Sequence, residues 1–325
     1  NPEPRNIIIC SDGTDNKFGR HNTNVVKLYQ VLESSENQKC FYDPGVGTYT
    51  PAGIIKNLLG KAFGTGLTQN IEDAYRYLMN TYRPGDKIYL FGFSRGAFTV
   101  RCLAGMLHKC GLLEKGSDNL VSYASRIYNK KYNRKTAAAF KQTYCRKCVP
   151  YFIGVWDTVA SLGYFMGKKF FDDDLHGKIT YGYQAAAIDE KRKKFPISLW
   201  NEKNITPDQT IEQVWFPGVH CDVGGYYKER GLSDGALEWM IHKAESAGVH
   251  FKENWQQNVH PDPTAKNALH NSRKGFWKLW KPVSRNIPEK ALIHRSALDR
   301  INADIGYNPK NLPANYTVVP RNTDT

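Results

Sequence analysis

Apolar residues along this chain fall into short β-branched or aromatic runs. Each run is closed by a polar, glycine-bearing turn, and the runs alternate with stretches whose apolar positions recur at helical spacing. Asn6–Cys10 is such a run, ending in Ser11-Asp12-Gly13-Thr14-Asp15-Asn16, and predicts a strand entering a turn-rich loop. Val25–Leu32 has helical spacing, and Cys40-Phe41-Tyr42 is a short strand stopped at Asp43-Pro44-Gly45. A glycine-rich apolar stretch covers 51–68, and Ile71–Thr81 reads as a helix stopped by Pro84-Gly85-Asp86. The run Ile88–Phe93 leads into a helix from Gly96 to His108. Tyr151–Trp156 and Ile211–Val219 are further strands, and Leu232–Ala247 is a further helix. The last third carries prolines at 261, 263, 282, 288, 309, 313 and 320 and reads as irregular. Strands alternating with helices predict an α/β fold, a mainly parallel sheet with helices on both faces. The chain is expected to be one catalytic domain over 1–325, with cap inserts near 113–148, 161–210 and 250–290.

Composition narrows the classes. With 325 residues, 41% of them hydrophobic, the chain can bury a large core. No apolar run reaches the roughly 18 residues of a membrane-spanning helix. No charged-then-apolar leader follows Asn1, so synthesis in the cytoplasm is expected, with any membrane contact peripheral or following delivery. A first residue other than Met is expected of a piece of a longer product. The seven cysteines are scattered, and Cys145-x-x-Cys148 lacks a second ligand pair, so neither a metal nor any other cofactor is expected. A net charge of +14, concentrated in 115–148 and 273–281, points to an anionic membrane surface. No nucleic-acid-binding motif accompanies it, so nucleic acid is not an expected partner.

The candidate chemistry collects where strands end. Gly92-Phe93-Ser94-Arg95-Gly96 is a G-x-S-x-G elbow between strand and helix. The two glycines clear space where the elements cross, and the tight turn exposes the Ser94 hydroxyl. Asp157 and His220 follow later strands, so a parallel sheet brings them to the same edge as Ser94. A serine nucleophile needs a base, and the base needs a carboxylate to fix its tautomer, which assigns Ser94, His220 and Asp157 as a triad. Asp157 could instead cap a helix, and His220 could be a buried structural histidine. A second arrangement has Asp222 as the acid and His294 as the base. The remaining histidines lie in polar stretches and receive no role. For the oxyanion hole, one N–H is expected from Arg95 and another from Gly13 or Thr14, with Asp12 alternatively bracing that loop.

Several ordered motifs resemble one family. They are Ser-Asp-Gly-Thr after the first strand, Gly-Phe-Ser-Arg-Gly-Ala, Val-Trp-Asp-Thr-Val and Pro-Gly-Val-His-Cys-Asp-Val-Gly-Gly-Tyr. Gly231–Leu237, Ile293–Ser296 and Asn311–Pro313 also match, so the likeness spans nearly the whole chain. The pattern resembles the catalytic domain of type VI secretion phospholipase effectors. That resemblance implies an α/β-hydrolase fold, a triad on Ser94, Asp157 and His220, and cleavage of fatty-acyl esters in glycerophospholipids. It also implies an immunity or adaptor partner, if the chain acts as an effector. The family usually has three glycines after His-x-Asp-Val, whereas Tyr226 follows Gly224-Gly225 here, a departure that bears on the loop and not on the triad. Lipid contact is expected from Ile54–Phe63, from Tyr164–Phe171 or from Phe276–Lys281, where aromatics alternate with lysines. Two other classes fit the sequence: a soluble carboxylesterase or thioesterase, and a catalytically silent lipid-binding module.

Overall fold

A computed structural model describes residues 3–13, 19, 21–45, 61–129, 134–159, 175, 178–303 and 305–321. Its strands are β1 (Asn6–Ser11), β2 (Gln38–Asp43), β3 (Lys87–Phe93), β4 (Leu112–Leu113), β5 (Cys145–Arg146), β6 (Phe152–Trp156), β7 (Tyr181–Ala187), β8 (Thr210–Phe216), β9 (Ala291–His294) and β10 (Tyr316–Val319). Its α-helices are α1 (Asn24–Val31), α2 (Lys61–Thr81), α3 (Arg95–Cys110), α4 (Asp118–Asn129), α5 (Arg134–Tyr144), α6 (His220–Gly224), α7 (Gly231–Ser246) and α8 (Arg295–Asn302). Eight strands form one sheet in the order β10-β9-β8-β7-β6-β3-β1-β2, and every pair in it is parallel.

The order of the strands locates the site. From β1 the chain moves to β2 on one side, then returns across β1 to β3 and continues outward. The direction therefore reverses between β1 and β3, and such a switch point leaves a crevice at the carboxyl ends of the strands. The loop after β1 begins at Asp12-Gly13, and Ser94 follows β3.

The strands read as continuous apolar runs because both faces are covered. Ile7, Ile9, Ile88, Leu90, Ile153 and Val155 pack against α2, α3, α4 and α5. The alternate residues Ile8, Cys10, Tyr89, Phe91, Phe152 and Trp156 face α1 and α7. The pairings Ile7↔Ile88 and Ile8↔Tyr89 keep each set on its own side, as the two-residue side-chain period requires. No helix among the described residues is long and apolar enough to cross a membrane.

Three expectations change. The stretch 161–210, expected to be an insert, contains β7, which lies in the sheet between β6 and β8. Its sequence, Tyr-Gly-Tyr-Gln-Ala-Ala-Ala, is poor in β-branched residues, and its place is set by neighbours on both sides. The last third is not irregular throughout, because β9 and β10 extend the sheet and α8 joins them. The stretch 113–148 buries Val121, Ala124, Ile127, Tyr128 and Phe140 in the core beside α3, so it forms a wall of that core.

Candidate active site

The elbow is built by close approach. A Cβ on Gly92 would lie 2.5 Å from the carbonyl oxygen of Gly96, and one on Gly96 would collide with the carbonyl of Ser11 at the end of β1. Ser94 takes φ 57° and ψ −116°, a conformation that only a constrained turn holds in a non-glycine residue. Its N–H donates to the Trp156 carbonyl at 3.1 Å, which ties the elbow to the end of β6. Asp157 is the next residue, fully buried, with φ 41°. After β8 the chain turns into α6, whose first residue is His220. A Cβ on Gly224 would overlap the Phe93 ring, so this glycine lets α6 settle against β3.

These elements bring three side chains into one line. His220 Nε2 lies 2.9 Å from Ser94 Oγ, and His220 Nδ1 lies 2.5 Å from Asp157 Oδ2. Phe93 and Phe195 wall the imidazole, with ring centroids 4.6 and 5.2 Å from it. Its backbone N–H donates to Glu190 Oε2 at 3.3 Å.

Asp157 has a further partner that no sequence motif marks. Arg285 grips Asp157 with two nitrogens, Nη1 to Oδ1 at 2.5 Å and Nη2 to Oδ2 at 2.9 Å. It also donates to the carbonyls of Ala187 and Phe195. The Ala187 N–H completes the set by donating to Asp157 Oδ1 at 2.9 Å. Burial alone would push the Asp157 carboxyl up. The Arg285 charge and the bonds from His220 and Arg285 outweigh burial and hold it well below the usual carboxylate range. Burial lowers the His220 imidazole below its ordinary value, which favours the neutral ring, although Asp157 opposes this.

Asp157, with its depressed native value, adds stability above the unfolded carboxylate value of about 3.9, and this contribution is lost as the pH falls below it. Without the guanidinium, burial acts in the opposite direction and an ionised Asp157 becomes costly. Arg285→Met is therefore expected to lose about 3–5 kcal/mol of stability in urea unfolding at neutral pH. That deficit should shrink as the pH approaches about 4. Equal deficits at both pH values would contradict a charge origin.

The second arrangement does not assemble. Asp222 Oδ1 lies 2.6 Å from His270 Nδ1, and its Oδ2 accepts the backbone N–H groups of Val219 and His270. His294 N-caps α8 through the Ser296 N–H and stacks on Phe216. His270, given no role from the sequence, joins Asp222 to Glu229 and stacks on Tyr227 at 3.9 Å. Of the oxyanion candidates, Arg95 opens α3, and the Gly13 N–H donates to its neighbour Asp12 Oδ1 at 2.7 Å. Asp12 Oδ2 accepts from Thr23 and Tyr42, so it braces this loop. Thr14 lies outside the described residues, as do Tyr164–Phe171 and residues 54–60 of the first apolar segment. Tyr226 takes φ 101°, the backbone region that favours glycine. Burial pushes the thiols of Cys145 and Cys148 up to about 11 and about 12, the reverse of what a redox pair needs.

A parallel sheet with a serine elbow at its switch point, and with a histidine and an aspartate brought in from later strand ends, is of the α/β-hydrolase class. The chain belongs to the T6SS phospholipase effector Tle1-like catalytic domain family, whose model matches residues 5–243. It is 36% identical over 217 residues to the uncharacterized protein YEL023C of Saccharomyces cerevisiae (strain ATCC 204508 / S288c). That match covers 59% of this chain and 32% of the yeast protein, so the chain spans about a third of that relative's length. An uncharacterized protein from Pseudomonas aeruginosa matches at TM-score 0.48 and 17% identity, over 82% of this chain and 50% of that one. The Tle1 effector bound to the VgrG spike of the type 6 secretion system matches at TM-score 0.47 and 14% identity, over 82% and 78%.

Proposed function

We propose that the chain is a serine esterase, a phospholipase A that cleaves fatty-acyl esters of glycerophospholipids. The observation that carries this reading is the unbroken line from Ser94 Oγ through His220 to Asp157, at 2.9 and 2.5 Å. His220 takes the Ser94 proton as Oγ attacks the acyl carbon. Asp157 holds Nδ1–H and balances the imidazolium. The ester C–O bond breaks, and the lysophospholipid leaves with the proton from His220. Water, giving its proton to His220, then attacks the acyl-enzyme, so that fatty acid departs and Ser94 recovers its hydrogen. The Arg95 N–H is one oxyanion donor. The other comes from Gly13, once Asp12 releases it, or from Thr14.

The 1–325 chain acts as one catalytic unit in this reading. The family is the ground for proposing delivery by a secretion apparatus and an adaptor or immunity partner. The test is to incubate the protein with mixed phospholipid vesicles, with and without prior fluorophosphonate treatment, and to identify the products by mass spectrometry. Free fatty acid and lysophospholipid from the untreated sample alone are expected. Fluorophosphonate labelling of Ser94 without release from vesicles would replace the lipid reading with that of a soluble esterase. An absence of labelling would mean a silent lipid-binding module.

A further inference from the structure

The expected lipid contact Phe276–Lys281 lies within the described residues, inside the segment 273–283. Gly275–Leu279 forms a 3₁₀ turn there. Leu279 is 75% exposed and Val283 50% exposed, more than any other large aliphatic side chain among the described residues. Trp277 and Trp280 are half-buried, with ring centroids 5.9 Å apart. Lys278 is exposed between them, and Lys274 and Lys281 are exposed on either side. The sequence from 263 to 288 contains no acidic residue.

A second basic stretch adjoins this one. The Val283 N–H donates to the Lys191 carbonyl at 3.0 Å, which brings the exposed Lys191 and Lys193 to the same side. The nearby carboxylate of Glu190 is buried and held at both oxygens by Arg192. The surface therefore presents projecting apolar tips, flanking indoles and a ring of lysines whose negative neighbour is neutralised beneath them.

We infer that residues 191–193 and 273–283 form a docking surface for an anionic lipid bilayer. Leu279 and Val283 enter the apolar layer, the indoles sit at headgroup level, and the lysine stems reach back to the phosphates. A nucleic acid would satisfy the lysines but leave Leu279 and Val283 in water. The placement suits the site. Trp277 and Phe195 meet in a T-shaped contact at 5.4 Å, and Phe195 and His220 in another at 5.2 Å, so the surface lies two ring contacts from the proposed base. The inference rests on the phospholipase reading for its purpose, but docking itself needs no turnover.

The experiment uses Ser94→Ala protein, so that binding is measured without hydrolysis. Co-sedimentation is measured with vesicles of phosphatidylcholine alone and with phosphatidylglycerol added. Strong partitioning onto the mixed vesicles, weakened by salt, is expected. Leu279→Glu should lower the partition coefficient about tenfold, and Lys278→Glu with Lys281→Glu by at least as much, since each lysine near an anionic surface contributes about fivefold. Both sites are exposed, and unchanged melting temperatures would show the variants to be folded. Parental partitioning by these variants would overturn the proposal. So would binding to heparin as tight as to vesicles together with indifference to Leu279→Glu, because a surface for any polyanion behaves in that way. Vesicle binding without phospholipid cleavage by the unmutated protein would leave the docking surface standing and remove only the phospholipase reading.

Discussion

Ser94→Ala protein is expected to hydrolyse phospholipid about a million times more slowly than the parent. The hydroxyl removed is the group that lies 2.9 Å from His220 Nε2, and without Oγ no covalent acyl intermediate can form. The fold should survive, since the elbow is fixed by Gly92, by Gly96 and by the Ser94 N–H bond to Trp156, none of which involves the hydroxyl. Alanine must still occupy φ near 57°, as serine does now, so the strain is nearly unchanged. Initial rates on vesicles, with thermal unfolding alongside, check both parts. A folded variant within about tenfold of the parent would remove Ser94 from the mechanism.

Asp157→Asn should cost about four orders of magnitude in kcat. The cause is the identity of the hydrogen-bond partner. Arg285 offers only donors, so the asparagine carbonyl turns to it and the amide NH2 turns to His220. Nδ1 must then accept, the ring proton moves to Nε2, and the nitrogen facing Ser94 can no longer take a proton. Asp222→Asn should behave differently. Asp222 braces Val219 and His270, so its loss should lower the melting temperature and leave kcat within about tenfold. Equal rate losses in the two variants would contradict this division of roles.

What could be read in advance was local. The elbow, Asp157 and His220 each follow an apolar run directly, and a parallel sheet carries every strand end to one edge. Residues whose meaning depends on distant chain were hidden. Arg285 lies between Ser284 and Asn286 in a proline-flanked polar stretch, with nothing nearby to mark it as the partner of Asp157, 128 residues earlier. Arg192 and Glu190 belong to the run Asp-Glu-Lys-Arg-Lys-Lys, which reads as solvated surface until Phe195 and His220 are placed beside it. No sequence neighbour marks His270, because only the fold brings Asp222 to it. Strand β7 escaped because alanine and glycine fit between two sheet neighbours without announcing a strand.

The guanidinium on Asp157 has a consequence for where this molecule can be cut. The family match stops at residue 243, after Ser94, Asp157 and His220 have all passed. A fragment ending there would hold all three groups yet lack Arg285 and the strands β9 and β10 that continue the sheet. It would carry in its interior an anion deprived of its guanidinium partner, and an uncovered sheet margin along β8. The stretch that identifies the relatives of this chain is thus shorter than the smallest piece fit for expression, and that piece must include the segment carrying Arg285.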